Sequence, residues 1–198
     1  MSLQEVFIEE LRDLYSAENQ LVKVLPKMVK ATKTASLKTA FTNHLEETKG
    51  QVEHLKQVLQ ILGKKPTGQH CNGMEGVVKE GKDAIESDEE GSVKDVQFII
   101  AALRAEHYEI AGYTAAIAIA KSLGQKEIVT LLNANLQEEV AAGKLLLTES
   151  KPALQGAASA QGASEEEDDD KPKTAKKKES LKKSEQDQAA AAPALSRK

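Results

Sequence analysis

Residues 98–118 read FIIAALRAEHYEIAGYTAAIA. Ile99, Leu103, Glu106, Ile110, Tyr113 and Ile117 recur at alternating steps of four and three, the spacing of one helix face. One member of that apolar stripe is a carboxylate. A charged group in a core is costly unless it is paired or bound to a cation. The stripe predicts a helix over 93–122, with Gly124 ending it.

The same pattern recurs on either side. Residues 3–33 carry Phe7, Leu11, Leu14, Glu18, Leu21, Leu25 and Met28, with Pro26 placed to disturb the helix. Residues 36–62 carry Leu37, Phe41, His44, Thr48, Gln51, Leu55, Val58 and Leu62, with Glu47 on the flank. Ser36 is the expected N-cap and Gly63 the expected stop. A Gly-rich passage, GKKPTGQHCNG (63–73), and a short helix near 74–87 follow. Residues 126–149 carry Ile128, Leu132, Asn135, Glu139, Ala142 and Leu146. Every long stripe is interrupted by polar residues near its middle.

Four long helices predict an all-α bundle. Short turns join the first to the second and the third to the fourth, so each pair is antiparallel. About thirty residues separate the second from the third. A link that long can return along the bundle, which gives the one-crossover topology of ferritin-like folds.

The interruptions fall at similar depths. Glu18 lies sixteen residues before the first turn and Glu47 thirteen after it; Glu106 lies eighteen before the second turn and Glu139 fifteen after. At about 1.5 Å of rise per residue, each pair sits within roughly 5 Å of one level. Glu109 adds a carboxylate on a neighbouring line of the third helix. Such oxygen-rich sites with one imidazole suit iron or manganese. Dinuclear carboxylate centres use one Glu from each of two helices and a Glu-x-x-His from each of the others. That last element is missing. Gly50 stands three residues after Glu47, and Ala141 and Ala142 stand three after Glu138 and Glu139. The nearest substitutes are His44, in the reverse order His-x-x-Glu, and Gln51.

Four segments, DLYSAENQL (13–21), HLEETKGQVEHL (44–55), AEHYEIAGY (105–113) and NLQEEVAAGKLL (135–146), resemble the YciE/YciF-type ferritin-like stress proteins. The resemblance covers about residues 1–150. It implies a rubrerythrin-like four-helix bundle, usually dimeric, with a candidate site for two metal ions, iron or manganese. Carried over by motif, the implied ligands are Glu18, Glu47, Glu106, Glu109 and one of Glu138 or Glu139, with His44 or Gln51 nearby. The stripe favours Glu139, because Glu138 lies about 100° away around the helix. Family members often have Asp near position 143, where this chain has Gly143. Thr48 and Gln51 are read as donors behind the ligands. Tyr15 and Tyr113 lie near enough to hydrogen-bond a carboxylate, although core packing is the commoner role for Tyr. His54, His70 and His107 are expected to face solvent or loops.

Composition narrows the function further. The chain has 198 residues and a net charge of −4, with 3% aromatics and no Trp, which argues against an all-β fold. One cysteine, Cys71, excludes an intrachain disulfide framework. No apolar run is long enough to span a membrane and no signal peptide is read, so a cytoplasmic location is expected. Residues 1–150 hold 17 basic and 22 acidic residues, which disfavours nucleic-acid binding by the bundle. Residues 153–198 are poor in large apolar side chains and are expected to be a disordered charged tail beyond a 1–152 domain. Its Lys-rich block offers at most a weak nucleic-acid contact. A homodimer is expected from the faces formed by Ala115, Ala116, Ala118, Ala120, Leu145 and Leu147. Two functional readings follow: a di-metal protein acting on iron, oxygen or peroxide in stress, or a non-catalytic dimeric stress or interaction protein with a vestigial site. A tail-driven adaptor is a weaker third.

Overall fold

The structure is a computed structural model that describes residues 1–67 and 69–169, with side chains up to residue 161. Among the described residues five helices follow in order: α1 Leu3–Ala31, α2 Ala35–Ile61, α3 Asn72–Glu86, α4 Gly91–Ser122 and α5 Lys126–Asp169. A capping box starts α1: the Ser2 hydroxyl accepts from Glu5 N, and the Glu5 side chain accepts from Ser2 N. Glycines stop two of the long helices. Gly63 and Gly124 follow α2 and α4 with φ of +66° and +72°, which a side chain would oppose.

Hydrogen bonds fix the directions of the rods. Thr34, after α1, bonds Asp95 near the start of α4, while Tyr113 late in α4 reaches back to Glu18 in α1. These two helices are therefore antiparallel. Ser36 at the start of α2 bonds Glu149 in α5, and Gln51 further on bonds Glu138 and Glu139, so α2 and α5 are also antiparallel. With a tight turn between α1 and α2, helix α2 runs parallel to α4. The long connection is thus a true crossover, and the ferritin-like topology expected from the loop lengths is present.

The crossover helix α3 packs on α1 and α4. Cys71 begins it. The thiol donates to Asp13 Oδ2 at 2.9 Å and lies 3.0 Å from the Tyr108 hydroxyl, and the Cys71 amide donates to Ser16 Oγ. Burial, then the Asp13 carboxylate, raises the Cys71 pKa above the ordinary thiol value. The loop is tied to two rods at one point.

Two apolar clusters lie along the bundle. One gathers Leu21, Leu25, Met28, Phe41, Met74 and Phe98; the other gathers Phe7, Leu11, Leu55, Tyr113, Ile128 and Leu132. The polar residues of the stripes lie between them.

Several sequence expectations change. Thr34, not Ser36, caps α2, and it makes no side-chain cap bond. Leu103 and Ile110 sit at the margin of the core, while Ala102, Ala105, Glu109 and Ala116 are buried, because α1 and α3 cover a second face of α4. Ala116 and Ala120 are fully buried and so cannot form a dimer face. Helix α5 continues past the expected boundary at 152 to Asp169, and the compact unit runs from Met1 to Ala157. The reason is local: Ala153 packs in the core, and the segment beyond it is rich in Ala, a strong helix former. The tail expected to be disordered lies, from 170 on, outside the described residues.

Candidate metal centre

Each long rod contributes to one polar pocket. Helix α1 supplies Glu18, α2 supplies His44 and Gln51, α4 supplies Glu106 and Glu109, and α5 supplies Glu139. Glu106 and Glu109 are three residues apart, which sets both on the same side of α4. Glu18, Glu109 and Glu139 are 0% exposed, and Glu106 and His44 are 2% and 6% exposed. One ligand atom from each of His44, Glu106, Glu109 and Glu139 lies within 4.8 Å of the others. His44 Nε2 is 3.3 Å from Glu106 Oε1.

Neutral donors hold the acids in place. Gln51 Nε2 donates to Glu139 Oε1 at 2.5 Å and to Glu138 Oε2 at 3.0 Å. The Tyr113 hydroxyl donates to Glu18, and it accepts from Asn135 Nδ2 at 3.0 Å. Asn135 Oδ1 lies 2.6 Å from His54 Nδ1. With the asparagine amide donating to Tyr113, its oxygen faces the ring, so His54 donates through Nδ1–H. A single direction of donation runs from the bundle edge to Glu18.

The acids are electrostatically frustrated. Burial lifts Glu18, Glu106 and Glu109 well above the ordinary carboxylate range. Repulsion from the other acids adds to each, Glu139 acting on all three. Glu18 repels Glu109, and Glu139 repels Glu106. Tyr113 is raised as well, by burial and then by Glu18. At the rim, Glu138 is raised by burial, whereas Glu47 is lowered by the His44 imidazole beside it.

A divalent cation fits this donor set. Buried polar atoms in folded proteins are rarely left unpaired. Here Glu18 Oε2, Glu106 Oε2, Glu139 Oε2, both Glu109 oxygens and His44 Nδ1 have no hydrogen-bond partner. Carboxylate oxygens with one imidazole are the donors that hard and borderline metals take.

The sequence-predicted residues divide by depth. Glu18, Glu106, Glu109, Glu139 and His44 come together. Glu47 is exposed, with Oε2 3.6 Å from His44 Nδ1, and Glu138 is half-buried behind Gln51. Thr48 is buried but donates to the His44 carbonyl, one turn back on its own helix, and not to a ligand. Tyr15 is half-buried against the apolar cluster of Phe7 and Leu11. His70 and His107 are exposed, as expected. His54 is half-buried on Asn135, which corrects the reading that it faces solvent. The signal for it was Asn135, a polar member of the fourth stripe.

Residues 2–159 match the family described as a domain of unknown function, DUF892. The chain belongs to the DUF892 family. Over 141 residues it is 42% identical to Protein YciF of Escherichia coli K12, covering 71% of this chain and 85% of that protein. The crystal structure of the E. coli stress protein YciF superposes with a TM-score of 0.75 at 39% identity, covering 78% of this chain and 98% of that one. YcfI of Rhodopseudomonas palustris superposes with a TM-score of 0.72 at 41% identity, covering 75% and 94%. Ferritin-like, diiron-carboxylate proteins of Bacillus anthracis superpose with a TM-score of 0.59 at 18% identity, covering 76% and 100%. That last likeness is one of fold. This DUF892 chain has the ferritin-like bundle and a buried His/Glu cluster able to hold a metal.

Proposed function

We propose that the bundle binds two divalent metal ions, iron in the first instance, among Glu18, His44, Glu106, Glu109 and Glu139, and uses them to reduce peroxide or dioxygen. The observation that carries this reading is the set of buried carboxylate oxygens without hydrogen-bond partners. Four ionised carboxylates carry a charge that two divalent cations balance. When bound, the metal ions supply electrons and polarise an oxygen ligand. The chain does the rest. Gln51 fixes Glu139 and Glu138 through its two N–H bonds, Tyr113 holds its proton on Glu18, and Asn135 with His54 orients Tyr113. The two apolar clusters shield the pocket from bulk water on either side. E. coli YciF is described as a stress protein, and peroxide removal suits such a role.

Metal analysis of protein purified without chelator tests the reading. About two iron or manganese ions per chain is the expected result. Less than about half an ion, with no uptake on anaerobic addition of iron(II), overturns it. A Glu18→Ala, Glu106→Ala double variant should lose the metal and stay helical.

The non-catalytic reading rests on the missing Glu-x-x-His elements and on Gly143. In that case the carboxyl pairs keep their protons, and the protein leaves the rate of iron(II) oxidation unchanged. In either case we propose self-association through the exposed Ala115, Ala118 and Leu147; a monomer at micromolar concentration in light scattering overturns this.

A further inference from the structure

A cavity of about 130 Å³ enters the bundle between α2 and α5. Its inner end is formed by His44 and Glu106, and its apolar sides by Phe41, Ala142 and Leu146. Glu47 and Ala141 lie at its exposed end. His44 Nδ1 and Glu106 Oε2, both buried and without hydrogen-bond partners, belong to residues of this inner end. Next to Ala142, Gly143 adds no side chain; a Cβ there would find nothing nearer than Glu106 Cβ at 3.9 Å. The passage is therefore polar inside, apolar along its length and open to solvent.

Its size and lining select a ligand. The volume suits a small ligand. A molecule that leaves a small polar group at His44 and Glu106 and a short alkyl group against Phe41, Ala142 and Leu146 matches both surfaces. We propose that this cavity is the substrate port of the metal centre and that it favours short-chain alkyl hydroperoxides over hydrogen peroxide. The inference rests on the metal-centre reading for its chemistry, and on the cavity alone for binding.

Two measurements on the full chain test it. In the first, tert-butanol, a redox-inert mimic, is titrated into metal-free protein and followed by methyl NMR. Shifts confined to Ala142, Leu146 and their neighbours are expected; no shift there overturns the port. In the second, iron(II)-loaded protein is mixed with tert-butyl hydroperoxide or hydrogen peroxide. Each peroxide takes two protons and two electrons from two iron(II) ions, which become iron(III); its O–O bond breaks, giving an alcohol and water from the alkyl hydroperoxide and two waters from hydrogen peroxide. The wild type should oxidise iron faster with the alkyl hydroperoxide. Ala142→Phe should remove the tert-butanol shifts and slow the alkyl reaction about tenfold or more, with metal content kept and the hydrogen peroxide reaction slowed distinctly less. Equal slowing of both reactions, or of neither, overturns the selectivity. Should Ala142→Phe lose helicity, Ala141→Trp at the exposed end makes the same test. Metal uptake without reaction toward either peroxide would sink the redox reading, while the tert-butanol titration still decides the port.

Discussion

His44 Nε2 and Glu106 Oε1 lie 3.3 Å apart, joining α2 to α4 across the middle of the bundle. These two helices run parallel only because the chain crosses over between them. The contact is thus a direct product of the long connection. It also defines what removal of the imidazole should do. His44→Ala should weaken metal binding by about 10-fold or more, since loss of even a partner behind a ligand costs about 10- to 100-fold. Competitive titration against a chelator measures this, and circular dichroism should show unchanged helix.

The buried acids set a pH dependence for the metal-free protein. Glu18, Glu106 and Glu109 have folded pKa values raised above those of the unfolded chain. Folding therefore takes up protons at these groups once pH exceeds the unfolded value of about 4.3. Their contribution to stability is full below that pH and is lost as pH rises through the folded values. Metal-free protein should melt at a lower temperature at pH 8 than at pH 5.5, and loading with a divalent cation should reverse much of the loss. Metal uptake in weak buffer should release protons. Differential scanning calorimetry and a pH-stat check both statements.

Replacing Tyr113 by Phe removes the donor to Glu18 and strands Asn135 Nδ2, whose other contact is the Gln51 carbonyl at 3.4 Å. A loss of about 1–3 kcal/mol is expected in urea unfolding. His54→Ala should cost less, because His54 is half-buried and water can replace it.

Glu109→Leu should have the opposite sign in metal-free protein. Neither Glu109 oxygen has a hydrogen-bond partner, and the side chain is fully buried. Apolar replacement of buried charged groups is often neutral or stabilising, by about 1–4 kcal/mol. A higher melting temperature together with lost metal uptake is expected from thermal scans and metal analysis.

A Cβ on Gly73 would lie 2.6 Å from the Tyr108 ring. Gly73→Ala should therefore push Tyr108 off Asp13 and Cys71 and destabilise the protein by about 1–3 kcal/mol. Chemical unfolding measures the loss.

Much of this architecture is readable from periodicity. Glu18, Glu106 and Glu139 stand out because each replaces an apolar residue in a clean stripe, and the two turns place them at one depth. Glu109 is harder to read. It lies off the stripe, and only the packing of α1 across a second face of α4 buries it. Glu47 illustrates the converse. Its depth matches the others, but its angle around α2 faces outward, and depth arithmetic carries no angle. Leu103 and Ile110 fit a 3-4 pattern yet lie at the margin, since a helix packed on more than one side has no single buried line. His54 becomes visible only through its cross-helix partner, Asn135. The end of α5 escaped because the segment after 152 is charged and poor in large apolar side chains, whereas Ala153 still packs inside.

The knot of Asp13, Cys71 and Tyr108 has a practical consequence. The chain's lone thiol is sealed wherever the crossover is seated, so it meets a labelling reagent only when that segment lifts from α1 and α4. Its modification rate counts those openings, and the molecule carries its own clock for the movement of the segment that makes α2 and α4 parallel.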